Sequence, residues 1–231
     1  MNVVSAESLG AAGLLDLFNA GFSDYVVPMQ LDAAALRGHV RTNDVDLARS
    51  PVAVVDGEPA AFALLGIRAA DAWIGGMATA PPHRRSGLAA AVLEAAAAAA
   101  SDAGCDTLGL EVVDANAPAV ALYRRAGFQV ERDLIVWTLP AAPRAAPGRP
   151  LDASAAQAWI ATHRPAAEPW QRADATLAHL RSREPMARAT RWRTPSSFRS
   201  AGGGSPAHLW DQNRLPQGRR NTPRAVRHAC G

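Results

Sequence analysis

Positions 51–67 constrain this chain more than any other stretch: two short apolar runs, Pro51 to Val55 and Ala60 to Ile67, flank an Asp56-Gly57 dipeptide. Asp-Gly suits the two positive-φ positions of a tight hairpin turn, whose twist matches that of paired strands, so the runs are expected as antiparallel neighbours. A sheet begun this way must bury a face, and the sequence supplies the cover. Ala72 to Ala80 reads as a third strand, the alanine-dense stretch Gly87 to Ala103 as a strong helix former stopped by Gly104, and Thr107 to Val113 as a further strand. Asn116 to Ala126 reads as a helix with Asn and Pro near its start and Gly127 at its end, and Gln129 to Leu139 returns as a strand. Upstream, Leu9, Leu14, Leu15 and Phe18, then Leu31, Leu36 and Val40, fall at helical spacing and suggest two amphipathic helices before a loop rich in Asp and Asn at 42–46. The order ααβββαβαβ points to an α/β fold of the α+β type, with a mixed, mostly antiparallel central sheet flanked by helices.

The 231 residues have room for a domain of 1–140 plus an appendage. Residues 141–150, built from Pro, Ala, Arg and Gly, read as a linker, and 151–180 as a partly helical appendage anchored by Trp159, Ile160, Leu177 and Leu180, in which a truncated second half is one reading. Residues 181–231 contain 11 Arg against Glu184 and Asp211, a net of +9, so residues 1–180 sum to −6. The basic pI therefore belongs to this tail, where large apolar residues are too sparse for a core, and disorder is expected. A shifted reading frame of GC-rich DNA would produce the same composition. Basic residues with no motif or aromatic platform do not argue for a nucleic-acid partner. No run approaches a membrane span, and Met1 to Ala20 carries Glu7 and Asp16 without an early Arg or Lys, unlike a secretory signal, so a soluble, cytoplasmic protein is expected. Cys105 and Cys230 cannot supply a disulfide framework or a four-ligand zinc site. His39 and His83 lack a second ligand at metal spacing, so they read as surface residues and no metal is expected.

Thr79-Ala80-Pro81-Pro82-His83-Arg84-Arg85-Ser86-Gly87-Leu88-Ala89 is a strand end, a turn and a helix start. Main-chain N–H groups at a helix start lack intrahelical partners and the dipole there favours an anion, so the turn from Arg84 to Ala90 can cradle a pyrophosphate, with Gly87 and Ala89 small enough for close approach. An ordinary strand-to-helix turn with a solvated Arg pair is the plain alternative. Neither a Walker loop nor a dinucleotide-binding fingerprint is present.

Arg-x-x-Gly-x-Ala after such a strand resembles the acetyl-coenzyme A motif of the GNAT superfamily of N-acetyltransferases. A second signature strengthens the likeness: Leu110 to Phe128 places Asn116 seven residues before Tyr123 and closes on Gly127-Phe128. It is most similar to the branch that acetylates the N-terminal alanine of a ribosomal protein. The resemblance covers about 45–140. It implies direct transfer of the acetyl group of acetyl-CoA, the co-substrate, to a primary amine on a small molecule or a protein N-terminus, and it is compatible with a homodimer. A coenzyme A-binding sensor or scaffold without turnover is the alternative.

Carried over position by position, the resemblance gives the main chain of Met77, Ala78 and Thr79 to the pantetheine arm and the turn Arg84, Arg85, Ser86, Gly87, Leu88, Ala89 and Ala90 to the pyrophosphate. Gly75 and Gly76 fit a bulge that splays this strand from Thr107–Val113 and opens an edge for the arm, forming the cleft; packing against a bulky neighbour is their other reading. Asn116 would bond the cofactor, cap its helix, or both. Tyr123 would protonate the departing thiolate and Glu111 would accept the proton of the amine, the latter needing a raised pKa or a water relay. Asp71 and Asp114 are fallbacks for the base. Thr79 stands where the family usually has an aliphatic residue.

Overall fold

The computed structural model describes residues 1–25, 27, 29–134, 152–163, 168–181 and 223–230. Its sheet grows outward from the expected hairpin: β2 (Pro51–Val55) and β3 (Glu58–Arg68) pair antiparallel around Asp56 and Gly57, both with positive φ. On one side β1 (Asn2–Ser5), a strand the sequence pattern did not reveal, adds antiparallel to β2. On the other, β4 (Asp71–Thr79) pairs antiparallel with β3, and α3 (Leu88–Asp102) carries the chain across to β5 (Thr107–Val113), which lies parallel to β4. β6 (Gln129–Asp133) follows α4 (Ala117–Arg125).

The strand that completes the sheet comes from the tail. Residues 223–229, expected to be disordered with the rest of 181–231, form β7 (Pro223–Ala229), which enters between β5 and β6 and pairs antiparallel with both. The spatial order is β1-β2-β3-β4-β5-β7-β6, a mixed and mostly antiparallel sheet of seven strands. The described strands up to residue 134 thus share one sheet with a strand from the tail. Long-range pairing rather than local pattern selects β7: Val226 is buried while Arg227 is exposed, the alternation a strand needs, but a single large aliphatic residue in the stretch does not announce it. The linker 141–150 and residues 182–222 lie outside the described residues.

Alternation along β3 divides the core in two. Ala61, Ala63 and Leu65 face α3 together with Val92, Leu93, Leu108 and Leu110, whereas Phe62 and Leu64 face α1 (Gly10–Gly21) and α2 (Ala33–Thr42), meeting Leu14, Phe18 and Leu36. β3 thus carries a nearly unbroken apolar run because both of its faces are covered. Two helices of the appendage, α5 (Ala153–His163) and α6 (Asp174–Arg181), follow β6, and α6 packs against α2. No helix among the described residues is long and apolar enough to cross a membrane.

Candidate active site

The sheet opens at β4. Its register with β5 runs only from Asp71↔Thr107 to Ile74↔Leu110, while its pairing with β3 continues to Thr79. Leu65 faces Ile74 and Leu64 faces Gly76, so Gly75 is the extra residue of a bulge at the point where the strands part. Both readings of Gly75 hold together, because a Cβ there would sit 2.3 Å from the Trp73 ring. Among the described residues, Gly75 to Thr79 leave one edge without a strand partner, and an extended amide-bearing ligand can pair there as another strand would.

Beside that edge lies a cleft of about 650 Å³. Met77, Ala78, Thr79, Arg84, Arg85, Gly87, Leu88, Ala89, Ala90, Asn116 and Tyr123 line it; Ser86 and Glu111 do not. The Ser86 hydroxyl instead donates to the His83 carbonyl and holds the turn. Arg85 and Gly87 both take positive φ, and Gly87 O accepts the first intrahelical bond from Ala91 N at 3.1 Å, so the amides of Leu88, Ala89 and Ala90 are spared for an anion. Arg84 is turned aside: its guanidinium pairs with Asp24 at 2.6 Å, and its Nε donates to Thr79 O. Thr79 lines the cleft and its hydroxyl oxygen is buried without a partner among the described residues, so a polar ligand group is wanted beside it.

Tyr123 stands on α4 with 8% of its surface exposed, its hydroxyl 3.8 Å from Met77 Sδ. Burial pushes its pKa well above the ordinary phenol value, with Tyr25 adding to the rise. Asn116 Oδ1 accepts from Ala119 N at 3.3 Å and caps α4, and its side chain also meets the Tyr25 hydroxyl. Tyr25, Asp24 and Phe22, from the end of α1 and the loop after it, line the cleft without having been expected there. A signal was available, since the chain has only two tyrosines and both are here. His83 also lines the cleft. His39 is not a surface residue: it packs near Trp73, its Nδ1 3.3 Å from the Asn43 amide, and burial lowers its pKa.

Glu111 sits just past Leu110, the last residue of β5 that pairs with β4. Leu108, Leu110 and Val112 belong to the α3 core, so Glu111 projects from the opposite face, toward α1 and α2. Its Oε2 accepts from Trp73 Nε1 at 2.7 Å and from Gln171 Nε2 at 3.1 Å. Burial raises its pKa, while these two donors and the Arg132 charge act in the other direction. Asp71 lies at the far end of the paired segment, bonded to the Thr107 hydroxyl and remote from the bulge.

An open strand edge, a helix start with spare amides and a buried phenol meet in this one cleft. Residues 14–128 match the profile of the family described as acetyltransferase (GNAT) family, and the chain belongs to it. The domain is accordingly that of an acetyl-CoA-dependent acyltransferase. Among solved structures, the chain resembles the ribosomal-protein-S18-alanine N-acetyltransferase from Escherichia coli at 23% identity and a TM-score of 0.50, over 58% of this chain and 81% of that one. It also resembles Ard1 from Thermoplasma volcanium at 17% identity and a TM-score of 0.50, over 58% and 85% of the two chains. Both likenesses are of fold. No curated protein shows significant similarity to the sequence.

Proposed function

We propose that the chain moves the acetyl group of acetyl-CoA directly to a primary amine, on a small molecule or a protein N-terminus, in the cytoplasm. The observation that carries this reading is the convergence, in one cleft, of the unpaired β4 edge, the α3 amides and Tyr123. The main chain of Met77, Ala78 and Thr79 binds the pantetheine arm. Arg85, Ser86, Gly87, Leu88, Ala89 and Ala90 surround the pyrophosphate through their amides, and Arg84 fixes the turn by its bond to Asp24. Asn116 holds the cofactor from the start of α4. Acetyl-CoA, when bound, supplies the activated acyl group.

Tyr123 delivers a proton to the leaving sulfur. A phenol with a raised pKa is fully protonated at neutral pH, so the proton is in place, and the same burial raises the basicity of a thiolate released beside it. Glu111 accepts the amine's proton from the α1–α2 face, through water, since it lies outside the cofactor cleft. A raised carboxyl pKa brings it closer to an ammonium and makes it a better base. Acetyl-CoA-dependent thiol release measured across an amine panel, including peptides with free N-termini, tests the reading. Release with at least one amine is expected; binding of coenzyme A with no release from any of them would mean a sensor or scaffold instead.

A further inference from the structure

The face on which Glu111 lies is covered by the chain's own appendage. Trp170 stacks on Trp73, with ring centroids 5.7 Å apart and planes 8° from parallel, and the next residue donates to Glu111 Oε2. The turn is fastened at several points. Trp170 Nε1 donates to Asn43 O at 2.9 Å; Arg68 stacks its guanidinium 4.2 Å from the Trp170 ring centroid and donates to Trp170 O, Thr42 O and the Thr176 hydroxyl. Arg68 Nε and His179 Nε2 both meet the Asp44 carboxylate, at 2.7 and 2.6 Å. Gly66 makes room for the ring, because a Cβ there would lie 3.3 Å from it and 2.7 Å from Asn43 O. Such fastening fixes a two-residue contact in place and makes it part of the site rather than a passing collision of a linker.

We propose that the Trp170–Gln171 turn is the acceptor-side wall of the transferase site, with Gln171 a positioning residue for Glu111 and Trp170 a determinant of which amine fits. This inference rests on the reading of Glu111 as proton acceptor. The side-chain donors Trp73 and Gln171 share Oε2 of Glu111, its own main-chain N–H donates to the carboxylate as well, and the Gln171 amide thereby helps to fix how the carboxylate is turned. A donor on Oε2 favours the carboxylate over the acid. Other groups around Glu111 are Arg132 on β6, whose charge also favours the carboxylate, and His39 on α2, packed at Trp73. Trp170, in turn, occupies surface beside Trp73 that a bulky acceptor would need.

The test uses the full chain with acetyl-CoA and two amines, one small and one bulky, and follows thiol release against pH together with direct binding of coenzyme A. Gln171 is exposed, so Gln171→Ala is expected to fold and bind coenzyme A as the parent does. Its kcat/KM for the amine falls, and the acidic limb of the pH profile moves to higher pH, because a donor that favoured the carboxylate is gone. Trp170→Ala is expected to change the bulky-to-small ratio of kcat/KM by about tenfold in favour of the bulky amine, the size of effect that pocket shape alone can give. A limb unmoved in Gln171→Ala together with an unchanged ratio in Trp170→Ala overturns the proposal. Glu111→Gln separates the two layers. If it abolishes the acidic limb while Gln171→Ala leaves the limb in place, the positioning role falls and the base stands; if it spares the limb, the base falls and the Trp170→Ala ratio decides the wall. A parent chain that binds coenzyme A but releases no thiol fails the transferase reading and takes the wall with it.

Discussion

Arg84 holds Asp24 through two near-parallel hydrogen bonds, Nη1 to Oδ2 at 2.7 Å and Nη2 to Oδ1 at 2.6 Å, and so ties the anion-binding turn to the loop after α1. The pairing keeps the Asp24 carboxyl below its usual pKa, and Arg84 reaches on to Gly21 O at 3.3 Å. The arginine that the sequence suggested for the phosphates is therefore partly neutralised and serves as a strap. Asp24→Asn should release its full charge toward the cleft while loosening the loop. Coenzyme A should bind more tightly by about two- to fivefold, the scale of an exposed charge contact, with a rise in acceptor KM. Equilibrium binding at low salt checks this, and weaker binding in the variant would show that Arg84 reaches the phosphates only while Asp24 orients it.

Tyr123→Phe removes one hydroxyl whose hydrogen bond to Met77 Sδ, at 3.8 Å, is a weak one. Folding should be little affected, since no strong hydrogen bond is lost and the ring still packs on Phe128. The rate should fall by about 10²–10⁴ if this phenol is the proton donor, with acetyl-CoA affinity retained. Single-turnover rates beside a binding isotherm distinguish this from a packing defect, which would lower both together.

Glu111 makes stability depend on pH in a direction set by its burial. Burial holds its folded pKa above the ordinary carboxyl value, so between that value and the raised one the folded state holds the proton more tightly than the unfolded state. Stability then falls as pH rises through this window, because the carboxylate form is the one burial penalises. Glu111→Gln keeps the shape and an acceptor oxygen without that charge. Its Tm should gain on the parent's at pH 7–8 and lose the advantage near pH 4. Paired thermal melts at the two pH values check it, and an advantage confined to acid would mean that the Trp73 and Gln171 bonds outweigh burial.

Most helices and strands were legible because their signals are local. The Asp56-Gly57 turn, the Asn116 cap and the glycine stops at 104 and 127 each act within a few residues, and each is present. The bulge at Gly75 was also readable, because a glycine inside an apolar strand has few other uses. What escaped depends on distant partners. β1 is four residues long, and β7 has Val226 as its single large aliphatic residue, so neither writes a periodic pattern. Asp24 and Tyr25 meet their partners at 84 and 116, and Trp170 meets Trp73, only once the sheet exists.

Gly75 and Gly76 should respond very differently to the same added methyl group. At Gly75 a Cβ would lie 2.3 Å from the Trp73 ring, which is already held by Glu111 and stacked on Trp170 and so cannot retreat. Gly75→Ala should cost about 1–3 kcal/mol and disturb the bulge that opens the cleft. At Gly76 the nearest atom is 3.4 Å away, an ordinary contact, and Gly76→Ala should be nearly neutral in stability. Denaturant unfolding of the two variants gives the comparison; equal losses would mean that strand flexibility, not the Trp73 contact, is what these glycines supply.

The seven residues of β7 offer a sharp test of how the basic tail relates to the domain. Among the described residues β6 finds its only strand partner in β7, and β5 is paired with β7 along its whole length. Val226 is 6% exposed within the core that also holds Tyr123 and Phe128, and His228 lies against Phe128 with centroids 5.3 Å apart. Ending the chain at residue 222 would leave two strand edges open and uncover the apolar surface beneath α4, so the shortened protein should aggregate or melt well below the parent. Val226→Ala, which keeps the strand but removes two methyl groups, should cost about 1–3 kcal/mol. If the shortened chain melts like the parent and still binds coenzyme A, then β7 is dispensable and β5 and β6 must pair by another arrangement. A loss on truncation, with a graded loss in Val226→Ala, would make residues 223–229 part of the folded transferase domain.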